Sequence, residues 1–300
     1  MASKETVLTV GVSSRALFEL EYEHSIYENS GIETYINYQI ANEEVILKPG
    51  VAFNLVKNLL KLNDKAELKD KRIEVIIMSR SCPDISIRIF NSIRHYELDI
   101  TRGIFTGGEP LANYVKTNNI DLYLSTNEED VRQVIKSGIA AAKIHNTGKE
   151  YCNENKELRI AFDFDCVLAS VESENIYQEN GLLAFEQNEM KLKNVPVSDG
   201  PFKSFACKIG EIQKIFNYDK TPIRVAICTA RNYPAHERVI KSLRSWGIRV
   251  NEAYFLGGYD KSRALEAFNA DIFFDDQEKN VTEAAVVVPS CQVLQEGDKS

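Results

Sequence analysis

The chain has 300 residues, 44% hydrophobic and 27% charged, with 36 Lys and Arg against 44 Asp and Glu for a net charge of −8. This is enough apolar chain for about two ordinary domains, which excludes a disordered or disulfide-stapled protein. An acidic balance argues against binding a nucleic-acid polymer, whose phosphates are held by surplus Lys and Arg, but it leaves room for a small phosphate ester held through a metal ion.

The opening residues, Met1 to Thr6, have no basic region with an apolar core behind it, so no signal segment is expected. Runs such as Val75 to Met78 and Ala284 to Pro289 are far shorter than the ~18 apolar residues of a membrane span. The first predicted strand is Val7 to Val12. A long helical pattern follows from Glu19 to Leu62, then a strand at Ile73 to Met78 and a helix at Asp84 to Tyr96. A strand ending at Gly107-Gly108, a helix, a strand opening at Asp121, another helix and a closing strand at Ala140 to Ile144 complete a first half over 1–145. The polar stretch His145 to Lys156 reads as a linker.

The second half, 157–292, repeats the order. A strand at Leu158 to Phe162 precedes a helical insert over about 173–216, then a strand at Arg224 to Cys228 and a helix at Pro234 to Trp246. Next come a strand ending at Gly257-Gly258, a strand opening at Asp271 and a closing strand at Ala284 to Val288, with fraying expected from Gln295. Short apolar strands alternating with helices predict an α/β fold of doubly wound parallel sheets joined by right-handed crossovers.

The two halves keep one register under addition of 150. Gly31 meets Gly181, Gly50 meets Gly200, Gly107-Gly108 meets Gly257-Gly258, and Asp121-Leu-Tyr-Leu124 meets Asp271-Ile-Phe-Phe274. A gapless register across both halves predicts a tandem duplication, each copy carrying a helical cap after its first strand.

In such sheets, ligands bind beyond the carboxyl ends of the central strands. There the second half places Asp163 and Asp165, one residue apart after an apolar strand. Their mutual repulsion calls for a cation or a shared proton. Thr229 ends the second strand with a hydroxyl, Lys261 follows Gly257-Gly258, and Asp275-Asp276 follows the buried-looking Phe273-Phe274. Each alone has a bland reading, as a helix cap or a surface charge. Together they supply a nucleophile, an acid/base, a hydroxyl, a cation and a hard-oxygen metal site, the parts phosphoryl transfer needs.

The order acid-x-acid, Thr, Lys, acid-acid resembles the haloacid dehalogenase-like (HAD-like) phosphohydrolase superfamily. Longer strings resemble the cytosolic 5'-nucleotidase I family: Ala161-Phe-Asp-Phe-Asp-Cys-Val-Leu-Ala-Ser170, Glu172-Ser-Glu174, Leu243-Arg-Ser-Trp-Gly247 and Phe273-Phe-Asp-Asp-Gln277 in the second half. Val12-Ser-Ser-Arg-Ala-Leu-Phe18, Phe90-Asn-Ser-Ile-Arg-His-Tyr96 and Phe105-Thr-Gly-Gly108 do the same in the first. Phe164 is a departure, since the resemblance leads one to expect Gly there in the vertebrate members. The resemblance implies Mg²⁺-dependent hydrolysis of nucleoside 5'-monophosphates, with AMP the first candidate. It makes Asp163 the nucleophile, Asp165 the acid/base, Thr229 and Lys261 the phosphate binders, and Asp163, Asp165, Asp275 and Asp276 the metal set. Tyr177 and Phe185, in the insert, are candidates to read the base. The alternatives are a phosphatase for another small ester, such as a sugar phosphate, and a nucleotide sensor without turnover.

At the first-half positions Asp163 becomes Ser13, Asp165 becomes Arg15, Lys261 becomes Leu111, and Asp275-Asp276 becomes Ser125-Thr126. That half is expected to be non-catalytic, serving as a scaffold or as a regulatory anion site built on Arg15, Ser79 and Arg80. The six cysteines, including Cys152, form no C-x-x-C pair and read as free thiols in a reducing cytoplasm. No membrane partner is expected, and a homo-oligomer is left open.

Overall fold

A computed structural model describes residues 5–151 and 155–295. Cys152, the middle of the expected linker and the tail beyond Gln295 lie outside the described residues. The chain divides into two compact units, Met1–Ile139 and Ala140–Ser300.

The first unit runs β1 (Glu5–Val12), α1 (Ser14–Leu17), α2 (Glu21–Ala41), α3 (Phe53–Lys61), β2 (Lys71–Ser79), α4 (Ser86–His95), β3 (Arg102–Phe105), α5 (Ala112–Thr117), β4 (Leu122–Ser125) and α6 (Glu128–Lys136). Its strands are parallel, in the order β3-β2-β1-β4. Leu8, Val10, Val12 and Ile73 to Met78 are buried as a nearly continuous run, because helices cover both faces of a parallel sheet.

The second unit runs β5 (Ala140–Ile144), β6 (Leu158–Phe162), α7 (Glu172–Lys191), α8 (Lys203–Ile215), β7 (Ile223–Thr229), α9 (His236–Ser245), β8 (Glu252–Phe255), α10 (Ser262–Phe268), β9 (Ile272–Asp275), α11 (Glu278–Ala284) and β10 (Ser290–Gln292). The order is β5-β10-β9-β6-β7-β8, parallel except where β5 meets β10. The α/β class expected from sequence is what the chain adopts.

The strand expected at Ala140 to Ile144 forms, and it pairs antiparallel with β10, Ile144 against Cys291. One expectation is corrected. Ala284 to Val288 is no strand. It is the end of α11 and a turn, with Val287 N and Val288 N donating to Ala284 O, and the strand forms at Ser290 instead. An apolar run that short fits a helix end as well as a strand.

Within each unit the same geometry recurs 150 positions apart. Val10 pairs with Leu122 as Ile160 pairs with Ile272, and Ile76 with Arg102 as Ala226 with Glu252. The Asp121 carboxylate accepts from Thr9 N at 2.9 Å and that of Asp271 from Arg159 N at 2.8 Å. Gly31 (φ 78°) breaks α2 and Gly181 (φ 80°) breaks α7, in a region that only glycine enters freely.

The cap insert bears on the site through packing. Phe202 and Phe205, at the head of α8, meet Phe162 of β6 and Phe274 of β9, with the Phe162 and Phe274 rings stacked 5.5 Å apart. Each is fully buried, contributing about 1.5–3 kcal/mol. The next residues on those two strands are Asp163 and Asp275, so this aromatic core sets where the acids stand.

Candidate active site

β6 lies between β7 and β9, and the chain turns to opposite sides of it, so its carboxyl end opens at the switch point of the sheet. Asp163 leaves β6 there. Its backbone N donates to Phe274 O at 2.8 Å, and its Oδ1 accepts from Phe164 N at 2.7 Å. Asp275 ends β9 and Asp276 follows. Carboxylate oxygens of Asp163, Asp275 and Asp276 lie within 4.8 Å of one another. Lys261 reaches in from the start of α10, its Nζ 2.6 Å from Asp275 Oδ2 and 3.1 Å from Asp163 Oδ2. Asn280 on α11 donates to both Asp275 oxygens, at 3.1 and 3.2 Å.

Three buried or half-buried acids face one buried lysine. Burial raises the Asp163 pKa well above the carboxylate range, Lys261 opposes this, and the neighbouring Asp275, Asp165 and Asp276 add to it. Burial and Asp275 push Asp276 up to about 7. For Lys261, burial lowers the pKa, but Asp163 and Asp275 together outweigh it and the net shift is upward. Negative charge is undercompensated here, the donors are all hard oxygens, and ligands of one Mg²⁺ at ~2.0–2.1 Å sit at most about 4.2 Å apart. The site therefore fits a hard divalent cation after small side-chain rotations.

Asp165, expected among the metal ligands, has its carboxylate turned elsewhere. Both its oxygens accept from Arg231, Nη2 to Oδ1 at 2.7 Å and Nε to Oδ2 at 2.8 Å. Arg231 is buried between the rings of Phe164 (5.1 Å) and Phe185 (5.2 Å) and donates from Nη1 to Glu189 of α7. Glu189 in turn accepts from Arg238 Nη1 at 2.8 Å and from Ser173 Oγ at 3.0 Å. Burial pulls the Arg231 pKa down, but Asp165 and Glu189 more than reverse this. Phe164, the departure from the expected pattern, is thus a buried platform for Arg231, stacked on Trp246 at 6.1 Å.

Of the other expected residues, Thr229 is buried at the end of β7, its Oγ1 accepting from Arg231 N at 3.2 Å. Tyr177 and Phe185 lie on α7 to either side of Gly181, edge to face at 6.3 Å. Arg231, Glu189 and Asn280 were missed. Arg231 stands two residues beyond Thr229, a position that marks it as reaching the same strand end. Nothing in the local sequence singles out Glu189. In the first unit, Arg15 pairs with Glu21 at 2.8 Å, the Ser14 and Ser79 hydroxyls are 3.2 Å apart, and Arg80 Nε donates to Asp130 at 2.8 Å.

Cys82, Cys166, Cys207, Cys228 and Cys291 are free thiols, and burial pushes Cys228 up to about 12. Among the described residues, no helix is long and apolar enough to cross a membrane.

Residues 1–300 match the family model described as 5'-nucleotidase. The chain is 38% identical over 284 residues to human cytosolic 5'-nucleotidase 1B, a match covering 91% of the chain and 46% of that protein. It therefore spans about half the length of the curated relative it matches. Two solved structures are far more distant. One is a chain of the Pnkp1/Rnl/Hen1 complex, with TM-score 0.35, 10% identity and 99% of each chain covered. The other is a putative UDP-N-acetylglucosamine 2-epimerase from Listeria monocytogenes, with TM-score 0.23, 10% identity, and 97% of this chain and 79% of that one covered. Neither bears on fold or function.

Proposed function

The chain belongs to the 5'-nucleotidase family, and from that premise we propose that its second unit hydrolyses nucleoside 5'-monophosphates, AMP foremost, to nucleoside and phosphate with Mg²⁺. The two units are then tandem copies of one HAD-like fold, the second catalytic and the first a scaffold that has lost the machinery. The observation that carries the reading is the convergence of Asp163, Asp275, Asp276 and Lys261 at the carboxyl ends of β6 and β9. The free, buried thiols favour a reducing compartment, the cytoplasm.

Asp163, Asp275 and Asp276 would hold the Mg²⁺, which offsets the repulsion between a carboxylate and a phosphate dianion. Asp163 attacks phosphorus in line, the bond from phosphorus to the 5'-oxygen breaks, and the phosphoryl group passes to the carboxylate as an aspartyl-phosphate. Lys261 and Thr229 bind the non-bridging oxygens, where charge accumulates. Asp165 protonates the departing 5'-oxygen, then takes a proton from the water that hydrolyses the aspartyl-phosphate. To carry that proton Asp165 has to free one oxygen from Arg231, which ties the step to α7 through Glu189. The insert formed by α7 and α8 covers the site and excludes water.

Phosphate release from a panel of nucleoside monophosphates and sugar phosphates, with Mg²⁺ and with EDTA, tests this. Turnover of AMP that EDTA abolishes is expected. A sugar phosphate turned over faster than every nucleotide would replace the substrate assignment.

A further inference from the structure

The first unit keeps the place of the site and reverses its charge. Beside Ser13, after β1, and Ser125, the last residue of β4, lies a cavity of about 570 Å³. Ser13, Arg15, Leu111, Ser125 and Thr126 all line it. They stand where the second unit has Asp163, Asp165, Lys261, Asp275 and Asp276, so formal charge at the five positions goes from −3 (four Asp, one Lys) to +1 (one Arg). A further pair is exchanged at the rim, Arg80 for Ala230 and Asp130 for Asn280, and the two make an ion pair with each other. Among the described residues, a cluster of three metal-binding side chains occurs in the second unit only. The cavity carries two guanidiniums, Arg15 paired with Glu21 and Arg80 with Asp130, so an anion there would be met by arginines and hydroxyls rather than through a metal ion.

Its lining is divided. One part is hydroxyls and guanidiniums: Ser13, Ser14, Ser79 and Ser125, with Arg15 and Arg80. The other is aromatic, with Tyr27 and Tyr35 edge to face at 6.0 Å. Tyr123, on β4, is fully buried, and its hydroxyl lies near the Ser125 side chain without a well-formed hydrogen bond. Buried hydroxyls without a partner are costly, and Phe273 at the matching place shows that a ring lacking the hydroxyl packs there. A polar atom held unsatisfied at a cavity wall marks where a ligand atom belongs.

We propose that this cavity is a metal-independent binding site for a nucleoside monophosphate. The phosphate meets Arg15, Arg80 and the serine hydroxyls, the base lies against Tyr27 and Tyr35, and the Tyr123 hydroxyl gains a better-placed partner. Arg15 can turn to the ligand because its pairing with Glu21 is partly exposed and weak. Arg80 keeps Asp130 through Nε and Nη2 while Nη1 is left to present to the ligand.

Calorimetry tests this on the full chain carrying Asp163→Asn, in EDTA, so that neither turnover nor metal contributes. Titration with AMP is expected to give saturable binding at one site per chain. Arg15→Gln should weaken it about tenfold and Tyr123→Phe by a smaller factor, with melting temperature preserved in both. Inorganic phosphate and adenosine should each bind at least about tenfold more weakly than AMP. No heat at about 10 mM AMP, or binding that neither variant weakens, would overturn the site. Inorganic phosphate binding as tightly as AMP would overturn the nucleotide assignment. Because the readout is binding without metal, it stands apart from whether the second unit hydrolyses AMP.

Discussion

Arg231 and Asp165 form a two-pronged ion pair at 2.7 and 2.8 Å, with the guanidinium buried and the carboxylate partly so. The other anchor of Arg231, Glu189, has a counterpart arrangement in the first unit. In the first unit Arg88 holds Glu23 at 2.8 Å and Gln39 at 2.9 Å. In the second, Arg238 stands 150 positions on, but the acid is at the other place: Ser173 is 150 positions from Glu23 and Glu189 from Gln39. This puts a carboxylate between Arg238 and Arg231, so one buried acid serves both.

That difference can be reversed. Glu189→Gln leaves two buried guanidiniums short of an acid and should cost about 3 kcal/mol in urea unfolding. Adding Ser173→Glu rebuilds the arrangement of the first unit around Arg238 and should recover much of that loss. Arg231 would still lack its anchor, so kcat for AMP is expected to stay at least about tenfold down, with KM moved less. Recovery of kcat in step with stability would show that Arg231 does not position Asp165.

Gly200 meets the segment that carries the two acids. A methyl group there would stand 2.6 Å from Val167 O and closer still to Ala169 O, both backbone atoms that cannot swing aside. Gly200→Ala should lower the urea midpoint by about 1–3 kcal/mol in stability and reduce activity per folded molecule. An unchanged midpoint would mean that this loop is looser than its hydrogen bonds suggest.

Metal binding should be visible without substrate. Mg²⁺ at about 100 times its Kd should stabilise the fold by about 2.7 kcal/mol, read as a rise in melting temperature. Asp276→Asn should remove most of that rise. A rise of full size in the variant would take Asp276 out of the metal site.

The parallel strands were legible because burial on both faces makes them continuous apolar runs, and the acids were legible because they follow such runs directly. Strand partners were not. Residues 140–144 read as a closing strand and form one, but their antiparallel pairing with β10 was not in view, since the sequence specifies that a strand exists and the packing decides its neighbour. Arg231 was in view beside Thr229, but its partners Asp165 and Glu189 lie 66 and 42 residues away, on a loop and on a helix with no distinct apolar stripe. Phe185, read as a candidate for the base, sits against Arg231.

If Asp163 is the nucleophile of a Mg²⁺-dependent nucleotidase, its carboxylate is indispensable to phosphate release from AMP. With Mg²⁺, the unchanged chain should turn over AMP and the Asp163→Asn variant should lose at least about a thousandfold, with circular dichroism and melting temperature retained. Comparable turnover by both would contradict it.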